Sequence, residues 1–125
     1  MDIINLKDCE RFVTKDGSSI RELLSPRNSQ LKRQSLAEAT VPPGGATTEH
    51  IHKESEEIYY ILSGIGEMRI LDEKAQVGVG DAIVLPPGTR HQIVNTGDED
   101  LVFLCICVPA YTHEDTELTD HTPVP

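Results

Sequence analysis

Two stretches decide the fold of this 125-residue chain: GGATTEHIHKESEEIYYILSG at residues 44–64 and GDAIVLPPGTRHQIVN at residues 80–95. Each consists of short apolar runs that end at glycine or proline, a pattern typical of strands joined by tight turns. The same rhythm continues on both sides of these stretches. It predicts an all-β domain, a sandwich or a barrel, with nine short strands: Ile20–Leu24, Leu31–Val41, Thr47–His52, Glu57–Leu62, Glu67–Leu71, Lys74–Val77, Ala82–Leu85, His91–Val94 and Leu101–Val108.

Four side chains within the two stretches are of the kinds that bind metals. Because successive side chains of a strand point to opposite faces, His50 and His52 share one face of their strand. Glu57 comes from the next strand, and His91 begins a later strand after the turn at residues 86–88. Three neutral imidazoles and one carboxylate suit a divalent transition ion, and the sequence does not distinguish among Fe, Mn, Ni, Zn, Co and Cu.

The two stretches resemble the two sequence motifs of the cupin family. Residues 44–64 fill every fixed position of the pattern G-x5-H-x-H-x3/4-E-x6-G, and residues 80–95 fill every fixed position of G-x5-P-x-G-x2-H-x3-N. The spacing between them matches that of small single-domain cupins. The resemblance implies a double-stranded β-helix, which is a jelly-roll cupin barrel, with one divalent transition metal per chain inside it.

Carried over to this chain, the resemblance implies the metal ligands His50, His52, Glu57 and His91. Glu56 also satisfies the looser spacing of the first motif. Glu57 is the predicted ligand because it leaves the six residues that the motif places before Gly64. His113 and His121 lie in polar sequence outside both motifs and are expected at the surface.

The predicted organisation is one cupin domain over residues 1–125, with a barrel core at about residues 31–108 and a C-terminal extension at residues 109–125. Inside the barrel, strand alternation places Tyr59 on the same face as Glu57. Tyr59 is therefore the candidate catalytic residue, as a donor to a substrate oxygen, and core packing is the alternative. Glu38 is a further candidate for an acid or a base.

The predicted site suggests two kinds of metal chemistry. A six-coordinate ion with four protein ligands keeps about two positions for water, O₂ or a bidentate substrate. With no Lys or Arg placed beside it, the site favours a small, weakly charged, oxygen-chelating molecule. Because neither Tyr59 nor Glu38 is a compelling base, dioxygenase-type chemistry is the favoured prediction. The alternatives are a metal-dependent isomerase, lyase or decarboxylase, and a non-catalytic small-molecule-binding cupin.

Charge and cysteine content limit the partners and the compartment. The chain has 21 acidic and 11 basic residues, and its net charge of -10 opposes docking to phosphates. We therefore expect no nucleic-acid partner and no anionic membrane partner. Three cysteines cannot all pair, and Cys105 and Cys107 lie two apart in an apolar run. This predicts reduced thiols in a cytoplasmic protein.

A homodimer is also predicted. Ile58, Tyr60 and Leu62 share the strand face opposite the metal ligands, and an apolar face of this kind, together with unpaired strand edges, favours association of two copies. The resemblance to small cupins implies pairing through the sheets with exchange of an N-terminal strand. Ile20–Leu24 is the candidate for that strand.

Overall fold

Two antiparallel sheets face each other in the computed structural model, which describes residues 1–119. A 3-10 helix at Leu6–Asp8 precedes the strands β1 (Arg11–Val13), β2 (Ser19–Leu24), β3 (Ser35–Val41), β4 (His50–His52), β5 (Glu56–Ser63), β6 (Ile65–Ile70), β7 (Glu73–Gly78), β8 (Ala82–Leu85), β9 (His91–Asn95), β10 (Leu101–Val108) and β11 (Thr116–Leu118). One sheet has the order β1-β2-β3-β10-β5-β8, and the other has the order β11-β4-β9-β6-β7. The predicted double-stranded β-helix is confirmed.

All nine predicted strands are present, although two begin later than predicted. The strand predicted from Leu31 begins at Ser35, because residues 32–34 bend through solvent, and the strand predicted from Thr47 begins at His50. The sequence did not predict β1 and β11, since three residues are too few to show a period. The segment Ile20–Leu24 lies in β2, which pairs with β3 of the same chain.

The core between the sheets follows from the alternation of side chains along each strand. On β5, Glu57, Tyr59 and Ile61 are buried, whereas Ile58 is 39% exposed. Phe103 on the neighbouring β10 packs against Tyr59, with ring centroids 4.5 Å apart. A single strand thus contributes apolar side chains to the core and a buried carboxylate near its first residue.

In residues 1–119 there is no helix with the length and apolar character of a membrane span.

Gly64, at the reversal between β5 and β6, is the glycine whose replacement has the clearest expected effect on folding. Its φ is +86°, and a Cβ there would lie 2.6 Å from the carbonyl oxygen of Asp100. We expect Gly64→Ala to lower the free energy of unfolding by more than the about 1–2 kcal/mol that a left-handed backbone alone costs. Gly80→Ala is the matched control, since Gly80 has φ +91° and open space beside it. Equal losses for the two variants in chemical denaturation would contradict the steric explanation.

Candidate metal centre

Three imidazoles meet between the two sheets. His50 and His52 lie on β4, His91 begins β9, and His50 pairs directly with His91 across the two strands. All three side chains are buried, and one nitrogen from each ring lies within 4.8 Å of the others. Because His50 and His52 are two residues apart on one strand, both rings point to the interior, as the alternation predicted. The cluster is able to hold a metal ion.

Hydrogen bonds to the protein backbone fix the tautomer of two of these rings. Nδ1 of His50 lies 2.6 Å from the carbonyl oxygen of Thr48, and Nδ1 of His91 lies 3.0 Å from the carbonyl oxygen of Thr89. A carbonyl oxygen can only accept, so both Nδ1 atoms donate. Each neutral ring therefore carries a lone pair on Nε2, the form that binds a metal.

His52 reaches the same tautomer through a side chain of the C-terminal extension. Its Nδ1 lies 3.1 Å from Oγ1 of Thr116 on β11, and that hydroxyl donates to the carbonyl oxygen of Thr112 at 3.0 Å. A hydroxyl has one proton to donate, so Thr116 accepts from Nδ1 of His52. Nε2 of His52 is therefore the lone-pair nitrogen of this ring. A three-residue strand beyond both motifs thus orients one of the predicted ligands.

Glu57, from the opposite sheet, faces two of these lone pairs. Its Oε1 lies 3.1 Å from Nε2 of His52 and 3.6 Å from Nε2 of His91. Its Oε2 accepts a hydrogen bond of 3.2 Å from the thiol of Cys107, its cross-strand neighbour on β10. Within residues 1–119, Oε1 of Glu57 and Nε2 of His91 are buried without a hydrogen-bond partner. Unpaired acceptors facing each other in a buried site are unfavourable unless a cation lies between them.

The pKa values of the metal-free cluster follow from its burial and its contacts. Burial, together with the nearby His50, lowers the pKa of His91 to about 4, so this ring is neutral near pH 7. Burial also lowers the pKa of His52, but the hydrogen bond and the charge of Glu57 outweigh it and leave that pKa above its ordinary value. Without an ion, His52 therefore takes up a proton more readily than an ordinary imidazole, and protonation competes with metal binding at Nε2 of His52.

A second carboxylate, which the sequence did not predict, lies beside the cluster. Asp16 is in the turn between β1 and β2, and its Oδ2 lies 3.4 Å from Nε2 of His50. Burial raises the pKa of Asp16, but His50 and hydrogen bonds from Thr14 and Ser18 outweigh it and hold that pKa below its ordinary value. The local sequence Thr-Lys-Asp-Gly-Ser is typical of a solvated turn, so nothing local indicates that it folds back onto the histidines.

The other predicted candidates differ in their placement. Tyr59 lines the cavity beside the cluster, and burial with the charge of Glu57 raises the pKa of its phenol well above the ordinary value. This phenol is therefore a hydrogen-bond donor at neutral pH. The prediction of Glu38 as an acid or base is wrong, because it lies on the outward face of β3 and pairs with Arg21 at 2.6 Å. His113 is exposed as predicted, and His121 lies outside the described residues.

Two cavities share part of their lining, and the inner one borders the cluster. The inner cavity, of about 40 Å³, is lined by side chains that include Asp16, His52, Glu57, Tyr59, Phe103 and Cys105, and none of its described lining residues is Lys or Arg. Burial raises the pKa of the Cys105 and Cys107 thiols, first through desolvation and then through the charge of Glu57, so both thiols stay protonated. An outer cavity of about 380 Å³ reaches Arg27 and His113. Phe12, Thr14, Glu22 and Tyr111 line both cavities.

The fold and the cluster together define an all-β barrel with a buried three-histidine site that is able to hold a metal ion. A family model described as a cupin domain matches residues 37–107, which is more than half of the chain. The chain therefore belongs to the cupin family, as the two motifs predicted.

Known proteins of similar sequence and structure agree with this assignment. An uncharacterized protein of Methanocaldococcus jannaschii is 52% identical over 109 residues, which are 87% of each chain. The oxalate-binding protein of Thermotoga maritima is 35% identical over 86 residues, which are 69% of this chain and 71% of that protein. The structure of the polyketide cyclase RemF from Streptomyces resistomycificus has the same fold, with a TM-score of 0.83 and 22% identity over 98% of this chain and 88% of that chain.

Proposed function

We propose that this cupin holds one divalent transition metal per chain, from the set Fe, Mn, Ni, Zn, Co and Cu. The ligands are Nε2 of His50, His52 and His91 and Oε1 of Glu57. The observation that carries the proposal is the cluster of three lone-pair nitrogens, two of which face a buried carboxylate oxygen that has no hydrogen-bond partner among the described residues. Donor atoms that share one ion at about 2.1 Å lie about 3.0–3.4 Å apart. The separations of 3.1 and 3.6 Å from Glu57 to His52 and His91 are close to that range.

The cavities support a small, oxygen-chelating molecule as the substrate or ligand. The inner cavity of about 40 Å³ has room for about three water-sized groups, since one such group needs about 10–15 Å³. Only a small polar group fits beside His52 and Glu57, and the outer cavity of about 380 Å³, which shares part of the lining, can take the remainder of a larger molecule. The relative named for oxalate binding supports a ligand of this kind. When bound, the ion supplies Lewis acidity to a carbonyl or carboxylate oxygen.

The number of protein ligands favours non-oxidative chemistry. Four protein ligands on a six-coordinate ion leave two positions, and a chelating molecule fills both without leaving one for O₂. Isomerase, lyase or decarboxylase chemistry, or ligand binding alone, is therefore better supported than the dioxygenase-type reaction favoured on sequence alone. In this function the protonated phenol of Tyr59 donates a hydrogen bond to a substrate oxygen inside the cavity.

The test uses protein purified without a metal-affinity tag and loaded anaerobically with Mn²⁺, Co²⁺ or Fe²⁺. Oxalate, small hydroxy acids and diketones are then measured for binding by calorimetry and for turnover with and without O₂. We expect oxalate to bind the metal-loaded protein and not the metal-free protein, and any turnover to continue without O₂. Equal oxalate binding by the metal-free protein would contradict the proposal. Consumption of one O₂ for each product molecule formed would instead support the dioxygenase-type reaction.

We also propose a homodimer joined through the outer face of the first sheet, in the reducing cytoplasm. Ile58, Tyr60 and Leu62 are 39%, 41% and 40% exposed on that face, and the three cysteines are free. We expect Ile58→Glu to convert a dimer into a monomer, because it places a charge within the apolar contact. Val79→Glu is the control, since Val79 is 71% exposed beyond the end of β7. Light scattering at micromolar concentration measures the mass, and a monomeric wild type would count against the dimer.

A further inference from the structure

We propose that Asp16 is a fifth protein ligand of the metal centre and binds the ion through Oδ2. This inference rests on the proposed metal site and adds to it a residue from outside both cupin motifs. Asp16 is buried, with 9% exposure, and lies in the turn that joins β1 to β2. It stands beside His50, whereas Glu57 stands beside the other two histidines. Each of the three histidines therefore has a carboxylate beside it.

The two oxygens of Asp16 have different surroundings. Oδ1 accepts hydrogen bonds from Oγ1 of Thr14 at 2.6 Å, from the backbone N–H of Ser18 at 2.9 Å and from Oγ of Ser18 at 2.7 Å. These bonds hold Oδ1 against the turn and direct Oδ2 to Nε2 of His50, 3.4 Å away. Nε2 of His50 carries a lone pair, because Nδ1 of the same ring donates to Thr48. A metal-ligand nitrogen and a carboxylate oxygen thus face each other at a separation typical of two donors on one ion.

The turn is fixed to the same residues that orient the imidazoles. The backbone N–H of Thr48 donates to the carbonyl oxygen of Asp16 at 2.7 Å, while the carbonyl oxygen of Thr48 accepts from His50. The ammonium of Lys15 donates to the carbonyl oxygen of Thr116 at 2.7 Å, while Oγ1 of Thr116 accepts from His52. The turn therefore contacts both of the residues that set the tautomers on β4, through Asp16 at Thr48 and through its neighbour Lys15 at Thr116, and the placement of Asp16 is tied to that of the cluster.

A fifth protein ligand changes what the ion can accept from outside. In a six-coordinate site, five protein donors leave one position, and a chelating ligand such as oxalate then has to displace Asp16. Loss of Asp16 should therefore have two opposite effects. It should lower the affinity of the protein for the metal, and it should raise the affinity of the metal-loaded protein for oxalate. A merely damaged site would weaken both.

The experiment compares the wild type with Asp16→Asn, which keeps the shape of the side chain and an oxygen for the bonds from Thr14 and Ser18. Cobalt affinity is measured by competition with a chelator, and oxalate affinity by calorimetry on the cobalt-loaded protein. We expect cobalt affinity to fall tenfold or more and oxalate affinity to rise severalfold. Glu67→Gln is the matched control: Glu67 pairs with Arg69 and is not among the described lining residues of either cavity. Its variant removes the same charge and should change both affinities little.

Three results would overturn the assignment: unchanged cobalt affinity, oxalate affinity that is unchanged or reduced, or equal effects of the two substitutions. A crystal structure of the cobalt-loaded wild type gives an answer that does not depend on the folding of any variant. An Oδ2–metal distance of about 2.0–2.2 Å supports the assignment, and a distance above about 3 Å overturns it. Failure of the wild type to bind metal under any loading condition overturns the proposed function itself. Metal binding by the wild type without Asp16 as a ligand overturns only the assignment of Asp16.

Discussion

Replacing His50 and His52 together by alanine is expected to abolish stoichiometric metal binding. The double variant removes both lone-pair nitrogens of β4 and leaves one imidazole of the cluster, His91, facing Glu57. Transition ions at sites with nitrogen and oxygen ligands depend on several such donors at once, so the loss should be close to complete. The measurement is the metal content per chain by mass spectrometry, after loading with Co²⁺ and removal of free ion by gel filtration.

His113→Ala is the control for this double variant, because His113 is an exposed histidine at the outer cavity. It should keep the full metal content of the wild type. Retention of full occupancy by the double variant would show that the ligands are assigned to the wrong residues. Loss of metal in both variants would point to nonspecific binding by surface histidines.

The metal-free protein is expected to lose stability as the pH falls from about 6.5 to about 4. Burial and the neighbouring His50 lower the pKa of His91 to about 4 in the folded chain, whereas an unfolded histidine titrates near 6.5. Between these values the unfolded chain binds a proton that the folded chain does not. The stability that His91 contributes is therefore fully present above the unfolded pKa and is lost as the pH falls, by about 3 kcal/mol in total.

His52 does not contribute to that slope. Its pKa is above the ordinary value, so it is protonated in both states below about pH 6.5, and its contribution is lost only as the pH rises through the folded pKa. The test is chemical denaturation of metal-free wild type and of His91→Gln at several pH values between about 7 and 4.5. We expect the free energy of unfolding to fall for the wild type and to change much less for the variant. Parallel curves would contradict the lowered pKa of His91.

Strand alternation explains why much of the site could be predicted. The shared face of His50 and His52, and of Glu57 and Tyr59, depends only on the period of two along each strand, which the sequence displays directly. The same rule would have excluded Glu38, because Ala37 and Ala39 on either side of it face the core side of β3. That prediction was wrong because it considered the residue type and not its place in the strand.

Sequence patterns could not predict the contacts between distant segments of the chain. Asp16 and Thr116 each meet a histidine far away along the chain, and each lies in a short segment with no periodicity of its own. One missed feature did leave a local signal. The carbonyl oxygens of Thr48 and Thr89 each accept from the histidine two residues later, so the repeated Thr-x-His pattern marks the two rings whose tautomers the backbone fixes.

Calorimetric titration of the metal-free wild-type protein with Co²⁺, in buffers of different ionisation enthalpy, decides whether the cluster is a metal centre. At about pH 6, His52 is largely protonated in the metal-free chain, because its pKa is raised, and an ion at Nε2 has to displace that proton. We predict one ion bound per chain and the release of about one proton per ion. Absence of saturable binding, or binding that releases no proton and persists in the His50→Ala, His52→Ala double variant, would contradict a metal centre built from these residues.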